Sequence, residues 1–285
     1  MAITLLGAAL AFIFGASIGS FVGVVAYRLP RELSIVKPRS FCPHCKKAIP
    51  AWRNIPIVSY LALRGHCADC NAPIGFRYFL AELGLASAAM YFYLHFPLGD
   101  ALARFGFCAA LFVVALIDYD WRVIHNAITF VGMLLGFLAA SLLMPEIGWK
   151  DSLAGIGVGA GFLFLTGVLY SLVRGAEGVG LGDVFLLGMA GAFLGLWGVI
   201  FTLFVGSILG AVGGVAFAIA GGAPPLPDEE IPEAIAEVTG ARHADDPIED
   251  VPMLQTAVPF GPFLAMAAAI FALFQPQLTN WYLSR

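Results

Sequence analysis

Cys42-Pro43-His44-Cys45 and Cys67-Ala68-Asp69-Cys70 are two CxxC pairs separated by 21 residues. Each pair presents two thiolates from one tight turn, and two such turns complete a tetrahedral sulfur site for zinc. The separation is one residue beyond the usual ribbon spacing. Four protein ligands leave no position open for water, so this zinc reads as structural. A disulfide framework is the competing reading, and it fails if the loop faces a reducing compartment. His44 and His66 adjoin the cysteines and read as solvated neighbours. Cys108, alone in an apolar run, reads as a small buried hydrophobe.

The second chemistry is acid at the ends of apolar runs. Asp118 and Asp120 close the run Ala115-Leu116-Ile117, and Asp183 opens another directly after Gly178-Val179-Gly180-Leu181-Gly182. An ionisable group costs about 2.5–3.5 kcal/mol at the centre of a spanning helix, so acids at its ends point, less strongly, to function. Taken singly, Asp183 reads as a helix cap. Brought together, two carboxylates cannot easily both ionise; one keeps a proton and the other serves as base, which activates water against a peptide carbonyl. Residues two apart on a helix point about 200° away from each other, so Asp118 and Asp120 cannot both face Asp183. Asp118 is nearer the apolar run and is the expected partner. Gly178, Gly180 and Gly182 let backbone approach a substrate closely. Their GxGxG spacing is neither the GxGxxG of a dinucleotide site nor a P-loop, which would need Gly-Lys-Ser/Thr.

The elements that must position these groups are membrane helices. The 285 residues are 60% hydrophobic and 12% charged, with a mean hydropathy of +0.88. A soluble domain would carry roughly 25% charged residues. Runs long enough for a crossing of about 20 residues lie at about 3–27, 79–97, 101–119, 124–144, 152–173, 183–198, 199–221 and 258–275. The sixth and seventh are one stretch broken near Gly195-Leu196-Trp197-Gly198. The expected fold is therefore all-α and polytopic, with about eight transmembrane helices. Residues 1–27 lack the basic flank of a signal peptide and read as a retained first helix.

Nine of the 15 Lys and Arg lie in residues 28–78, so the positive-inside bias places that loop, and Asp118 and Asp183 with it, on the cytosolic side. A loop of this size builds little core, and metal would supply its folding energy. Residues 79–222 carry the helices with the two acids. Residues 223–257 hold nine of the 19 acids after a Pro-rich start, with a short helix expected near 229–239. They read as a solvated cytosolic linker or as an acidic surface for a basic partner. Residues 258–285 form the last helix and C-terminus.

Gly19-Ser20-Phe21, Arg28-Leu29-Pro30, the paired CxxC motifs, Asn54-Ile55-Pro56, Leu116-Ile117-Asp118, Gly180-x-Gly182-Asp183 and Pro259-Phe260-Gly261-Pro262 occur in this order. In this order the chain resembles the bacterial prepilin peptidases, the GxGD-type intramembrane aspartyl proteases of type IV pilus and type II secretion systems, over nearly its whole length except residues 223–257. The resemblance implies a multi-pass inner-membrane enzyme that removes the basic leader of prepilins or pseudopilins after a Gly, on the cytosolic side. It implies catalytic roles for Asp118 and Asp183 and zinc ligation by Cys42, Cys45, Cys67 and Cys70. It also implies, in many members, N-methylation of the new N-terminus from S-adenosylmethionine. The lipid bilayer and the prepilin are the expected partners; nucleic acid is not. Three positions depart from the family pattern: Ile124-His125-Asn126 where Ile-Pro is usual, Phe185 in place of Lys, and Gly23 in place of Asn. The competing function class is a proton-coupled transporter that uses intramembrane acids.

Overall fold

The computed structural model describes residues 2–175, 180–219 and 259–283. Eight α-helices are present among them: α1 (Ala2–Arg28), α2 (Val58–Ala62), α3 (Phe76–His95), α4 (Leu98–Trp121), α5 (Asn126–Leu142), α6 (Gly148–Arg174), α7 (Leu181–Ile219) and α8 (Gly261–Leu283). Strand-like pairing among the described residues is confined to the isolated bridges Phe41 to Ala48 and His66 to Pro73. Five helices are long and apolar enough to cross a membrane: those covering Ile3–Arg31, Leu98–Trp121, Gly148–Arg174, Leu181–Ile219 and Gly261–Leu278. α5 is apolar but shorter. The chain is thus all-helical and multi-pass. Large apolar side chains such as Leu134, Leu165, Leu172 and Phe204 point outward, as a hydrocarbon solvent allows.

Residues 1–113 form one compact unit and residues 114–285 a second, the border falling within α4. In the first, α1 lies along α3 through small residues. A Cβ placed at Gly19 would stand 2.6 Å from the Glu82 Cα and 2.7 Å from the Ala81 carbonyl. Between helices in lipid, where apolar burial gives little drive, such close backbone approach supplies the packing energy. Arg28, at the end of α1, is buried; its guanidinium donates to the Ser34 and Pro38 carbonyls, each at 2.8 Å, and folds the loop back over the helix.

In the second unit α7 packs against α5, α6 and α8. A Cβ at Gly159 of α6 would lie 2.7 Å from the Leu187 carbonyl of α7, so here too the contact is backbone against backbone. α7 contains the break expected near residues 195–198: Gly195 adopts φ 70° and ψ −170°, a region open essentially to glycine alone. A break in a buried helix strands backbone groups, and α6 satisfies them. Asp151 Oδ1 accepts the Leu196 N–H at 3.2 Å, and the Ser152 hydroxyl donates to the Ala192 carbonyl at 2.8 Å. The sixth and seventh runs of the sequence are thus two helices joined through a glycine hinge point.

Candidate active site and metal centre

Asp118 sits in the last turn of α4, which continues through Asp120 to Trp121 before Arg122, at φ 55°, ends it. The helix therefore does turn Asp118 and Asp120 to different sides. Asp118 is 5% exposed, whereas Asp120 is half-exposed. Asp118 Oδ2 accepts the Gly261 amide at 3.0 Å, at the start of α8. A Cβ at Gly261 would lie 2.6 Å from the same oxygen and 3.1 Å from Ile124 Cδ1.

Asp183 lies in the first turn of α7, its N–H bonded to the Gly180 carbonyl at 3.1 Å. It is thus inside the helix, not its cap; Gly180 occupies the capping place. Asp183 Oδ1 is buried with no hydrogen-bond partner among the described residues, a state that a neutral or substrate-engaged carboxyl tolerates far better than a free carboxylate.

Of the glycines before Asp183, Gly178 lies outside the described residues. A Cβ at Gly180 would be in ordinary contact with Asp183 Oδ2 at 3.8 Å. At Gly182 it would meet Ile124 Cβ at 2.6 Å, so the missing side chain there makes room for Ile124. Ile124 therefore touches the surroundings of both acids, beside Gly182 and beside Gly261. Neither Ile124 nor Gly261 stood out as a site residue in the sequence. The available signals were the departure at Ile124-His125-Asn126 and the Pro259-Phe260-Gly261-Pro262 run.

The four cysteines converge in the first unit, their sulfurs all within 4.8 Å of one another. Cys42 Sγ and Cys70 Sγ are 3.8 Å apart, the edge of a tetrahedron whose centre lies about 2.3 Å from each sulfur, the zinc–thiolate distance. The two knuckles repeat one another 25 positions apart. Cys42 N–H donates to Lys47 O and Lys46 N–H to Cys42 O, at 3.0 and 2.8 Å; Cys67 N–H donates to Ala72 O and Asn71 N–H to Cys67 O, at 2.8 and 3.0 Å. Lys46 and Asn71, each following the second cysteine of its pair, share φ 58°. The repeat was visible in the sequence as Cys-x-x-Cys followed four residues later by Ile49 and Ile74.

The amides of Asp69 and Cys70 draw the Cys67 thiol down from 9.0 to about 7. The Ala72 amide also draws on Cys70, but desolvation and the sulfurs of Cys67, Cys45 and Cys42 push its thiol up to about 11. One thiolate thus opposes the next, and a divalent cation would remove that conflict. The donor set and spacing fit zinc. His66 turns its Nδ1 to the Arg64 carbonyl at 2.8 Å. Asp69 ties the knuckles together through Lys47 at 3.5 Å and Arg53 at 3.4 Å.

The family described as Bacterial Peptidase A24 N-terminal domain matches residues 13–96, and the Type IV leader peptidase family matches residues 105–215. The chain is 35% identical over 291 residues to a Prepilin leader peptidase/N-methyltransferase of Burkholderia pseudomallei, covering 92% of this chain and 83% of that protein. It is 33% identical over 300 residues to one of Pseudomonas aeruginosa, covering 95% and 91%, and 31% identical over 315 residues to one of Myxococcus xanthus, covering 94% and 90%. No solved structure matches the chain.

Proposed function

The chain belongs to the type IV leader peptidase family, a bacterial family of membrane peptidases, and on that premise we propose that it removes the leader of prepilins or pseudopilins with Asp118 and Asp183 as the catalytic pair. The observation that carries this reading is the burial of Asp118 with Oδ2 held by the Gly261 amide, while Ile124 packs beside both Gly261 and Gly182, the residue before Asp183. The amide fixes one lone pair and leaves the other oxygen for chemistry. Water attacks the scissile carbonyl while one carboxylate takes its proton, and the protonated partner donates to the carbonyl oxygen or departing amine. Neither metal nor nucleophilic side chain is required.

In this reading the leader is cut after Gly on the cytosolic side of the inner membrane, where residues 28–78 and 223–257 also lie. Zinc on Cys42, Cys45, Cys67 and Cys70 holds the 28–78 domain together without touching the substrate. The relatives' names include N-methyltransferase, which supports a second step at the new N-terminus with S-adenosylmethionine as methyl donor. The five domains are the first helix (1–27), the zinc-binding loop, the helices of 79–222 with the acid pair, the acidic loop 223–257, which lies outside the described residues, and the last helix from 258.

Mass spectrometry of a prepilin co-expressed with this protein tests both steps at once. Loss of the leader after Gly is the expected result, and an added methyl group reports the second activity. An intact leader alongside correctly inserted protein would refute the peptidase.

A further inference from the structure

Trp52, Val58 and Leu61 lie in the loop between α1 and α3 with 73%, 58% and 60% of their surfaces exposed. Water is a poor solvent for such side chains. Arg53, Asn54, Ser59 and Tyr60, interleaved with them, turn instead toward a cleft in the first unit that also borders Gly19 of α1 and Glu82 of α3. The segment is therefore two-sided, with polar groups against protein and large apolar groups facing out. Its depth follows from the helices it touches. Gly7, Gly15 and Gly19 of α1 face Tyr93, Ala89 and Glu82 of α3 in turn, so the two helices run antiparallel at one level. α1 carries no charge from Gly19 to Tyr27. The Glu82 carboxylate, on a residue about 9 Å into α3 at 1.5 Å per residue, accepts the Ile57 amide at 2.6 Å, and Tyr60 stacks on Phe79 with centroids 4.9 Å apart. The start of α2 is thereby held beside apolar helix, not beyond its end.

The backbone here is complete without water. Arg53 and Asn54 donate to the Pro50 and Ala51 carbonyls, Ile55 to the Ser59 hydroxyl at 2.9 Å, Ile57 to Glu82, Val58 to the Pro56 carbonyl and Ser59 to the Ile55 carbonyl. Pro56 has no N–H to satisfy. Every backbone donor from Arg53 to Ser59 thus ends on protein although large side chains of the same segment are exposed, an accounting that hydrocarbon demands and water does not. Ile57 carries its cost. At φ 66° and ψ −54° it forms a γ-turn of positive φ, rare for any residue and strained for a β-branched one. That turn closes the Val58 amide on Pro56 and starts α2.

We propose that residues 52–62 are an interfacial anchor, with Trp52, Val58 and Leu61 among the phospholipid acyl chains of the leaflet where α1 ends, the cytosolic leaflet in the orientation proposed above. Indole suits this boundary, being apolar in body and polar at its N–H. A two-sided helix seats its apolar face about 5–10 Å into such a leaflet, in keeping with the level of Glu82. Exposed Arg64, just past α2, reaches the phosphates along its own apolar stem. Charge favours lipid over the substrate as occupant, because the nine basic residues of 28–78 are drawn to anionic headgroups and repel a basic leader. Arg53 carries the anchorage to the cysteine knuckles, lying 3.4 Å from Asp69 of the second. The cysteine domain is thus moored to the membrane by this segment as well as by α1 and α3, and Asn54-Ile55-Pro56, which the leader-cleaving chemistry does not use, forms the bend.

The test uses the full chain, zinc retained, in nanodiscs of phosphatidylcholine and phosphatidylglycerol. Bromine on the upper acyl carbons quenches a nearby indole, and the difference between wild type and Trp52→Phe gives the Trp52 share of the emission. That share should lose most of its intensity in brominated nanodiscs; full intensity overturns the proposal. Benzoylphenylalanine is then placed at Val58, at Leu61 or, as a control, at His44, which is exposed on the first knuckle. The protein is photolysed with a prepilin present, and the adduct is weighed. Positions 58 and 61 should gain the mass of one phospholipid, and position 44 should not. An adduct at 58 and 61 with the mass of the prepilin or of a second copy makes the face a protein-binding one and overturns the proposal. So does the absence of any adduct there, or lipid captured equally at all three positions.

Discussion

Asp118 and Asp120 differ by two positions and by nearly everything else that matters to a carboxylate. One is buried with an oxygen held by a backbone amide; the other stands half-exposed where α4 ends. An amide cannot act as a base, so Asp118→Asn and Asp183→Asn should each abolish leader cleavage in inserted protein, while Asp120→Asn retains substantial activity. Cleavage of a purified prepilin followed by mass spectrometry reads all three, and robust cleavage by Asp118→Asn would overturn the assignment. Gly261 extends the argument to a residue without a side chain. A methyl group there would press on Asp118 Oδ2, and displacement of a reacting group by about 1 Å can cost on the order of 100-fold. Gly261→Ala should lower kcat by about 10- to 100-fold with little change in bound zinc; undiminished kcat would show that the amide contact does not position the acid.

At the scale of elements, two devices hold unusual backbone in place. The break in α7 depends on Gly195 and on Asp151 and Ser152 of α6, which meet the backbone groups the break frees. Gly195→Ala forces a Cβ into a glycine-only conformation and toward Asp151, and should cost about 1–3 kcal/mol, read as a lower Tm in detergent. An unchanged Tm would mean that the helix straightens at no cost. The second device is the pair of cysteine knuckles. Cys42→Ser or Cys67→Ser should lower zinc from one per chain and speed hydrogen exchange across residues 28–78, with leader cleavage affected secondarily. Acidification should release the metal from wild-type protein, because all four sulfurs bind as thiolates. Gently purified, reduced protein without stoichiometric zinc would defeat this account.

For the whole molecule, charge is arranged by segment: nine basic residues in 28–78 and nine acidic ones in 223–257. If the acidic stretch concentrates a basic leader near the enzyme, neutralising its acids should raise KM several-fold at low salt while kcat stays nearly constant, and added salt should erase the difference, since exposed charges are screened beyond about 8–10 Å. The same KM at low salt would leave the stretch a linker. That segmental layout, the apolar runs and the paired cysteines were all legible in the sequence, because each is a local property: length and apolarity define a spanning helix, CxxC defines a knuckle, and helical periodicity alone separates Asp118 from Asp120. Even the break in α7 was announced by its glycines. What local pattern could not supply was partnership across the chain. Gly261 lies 143 positions from the carboxylate it holds. Gly182 is small because Ile124 fills its place. Glu82 reaches back 25 positions to the Ile57 amide. Those pairings arise only when helices pack backbone to backbone, and it is this packing, set by which glycines face which neighbours, that decides where an acid is anchored and where a cleft remains.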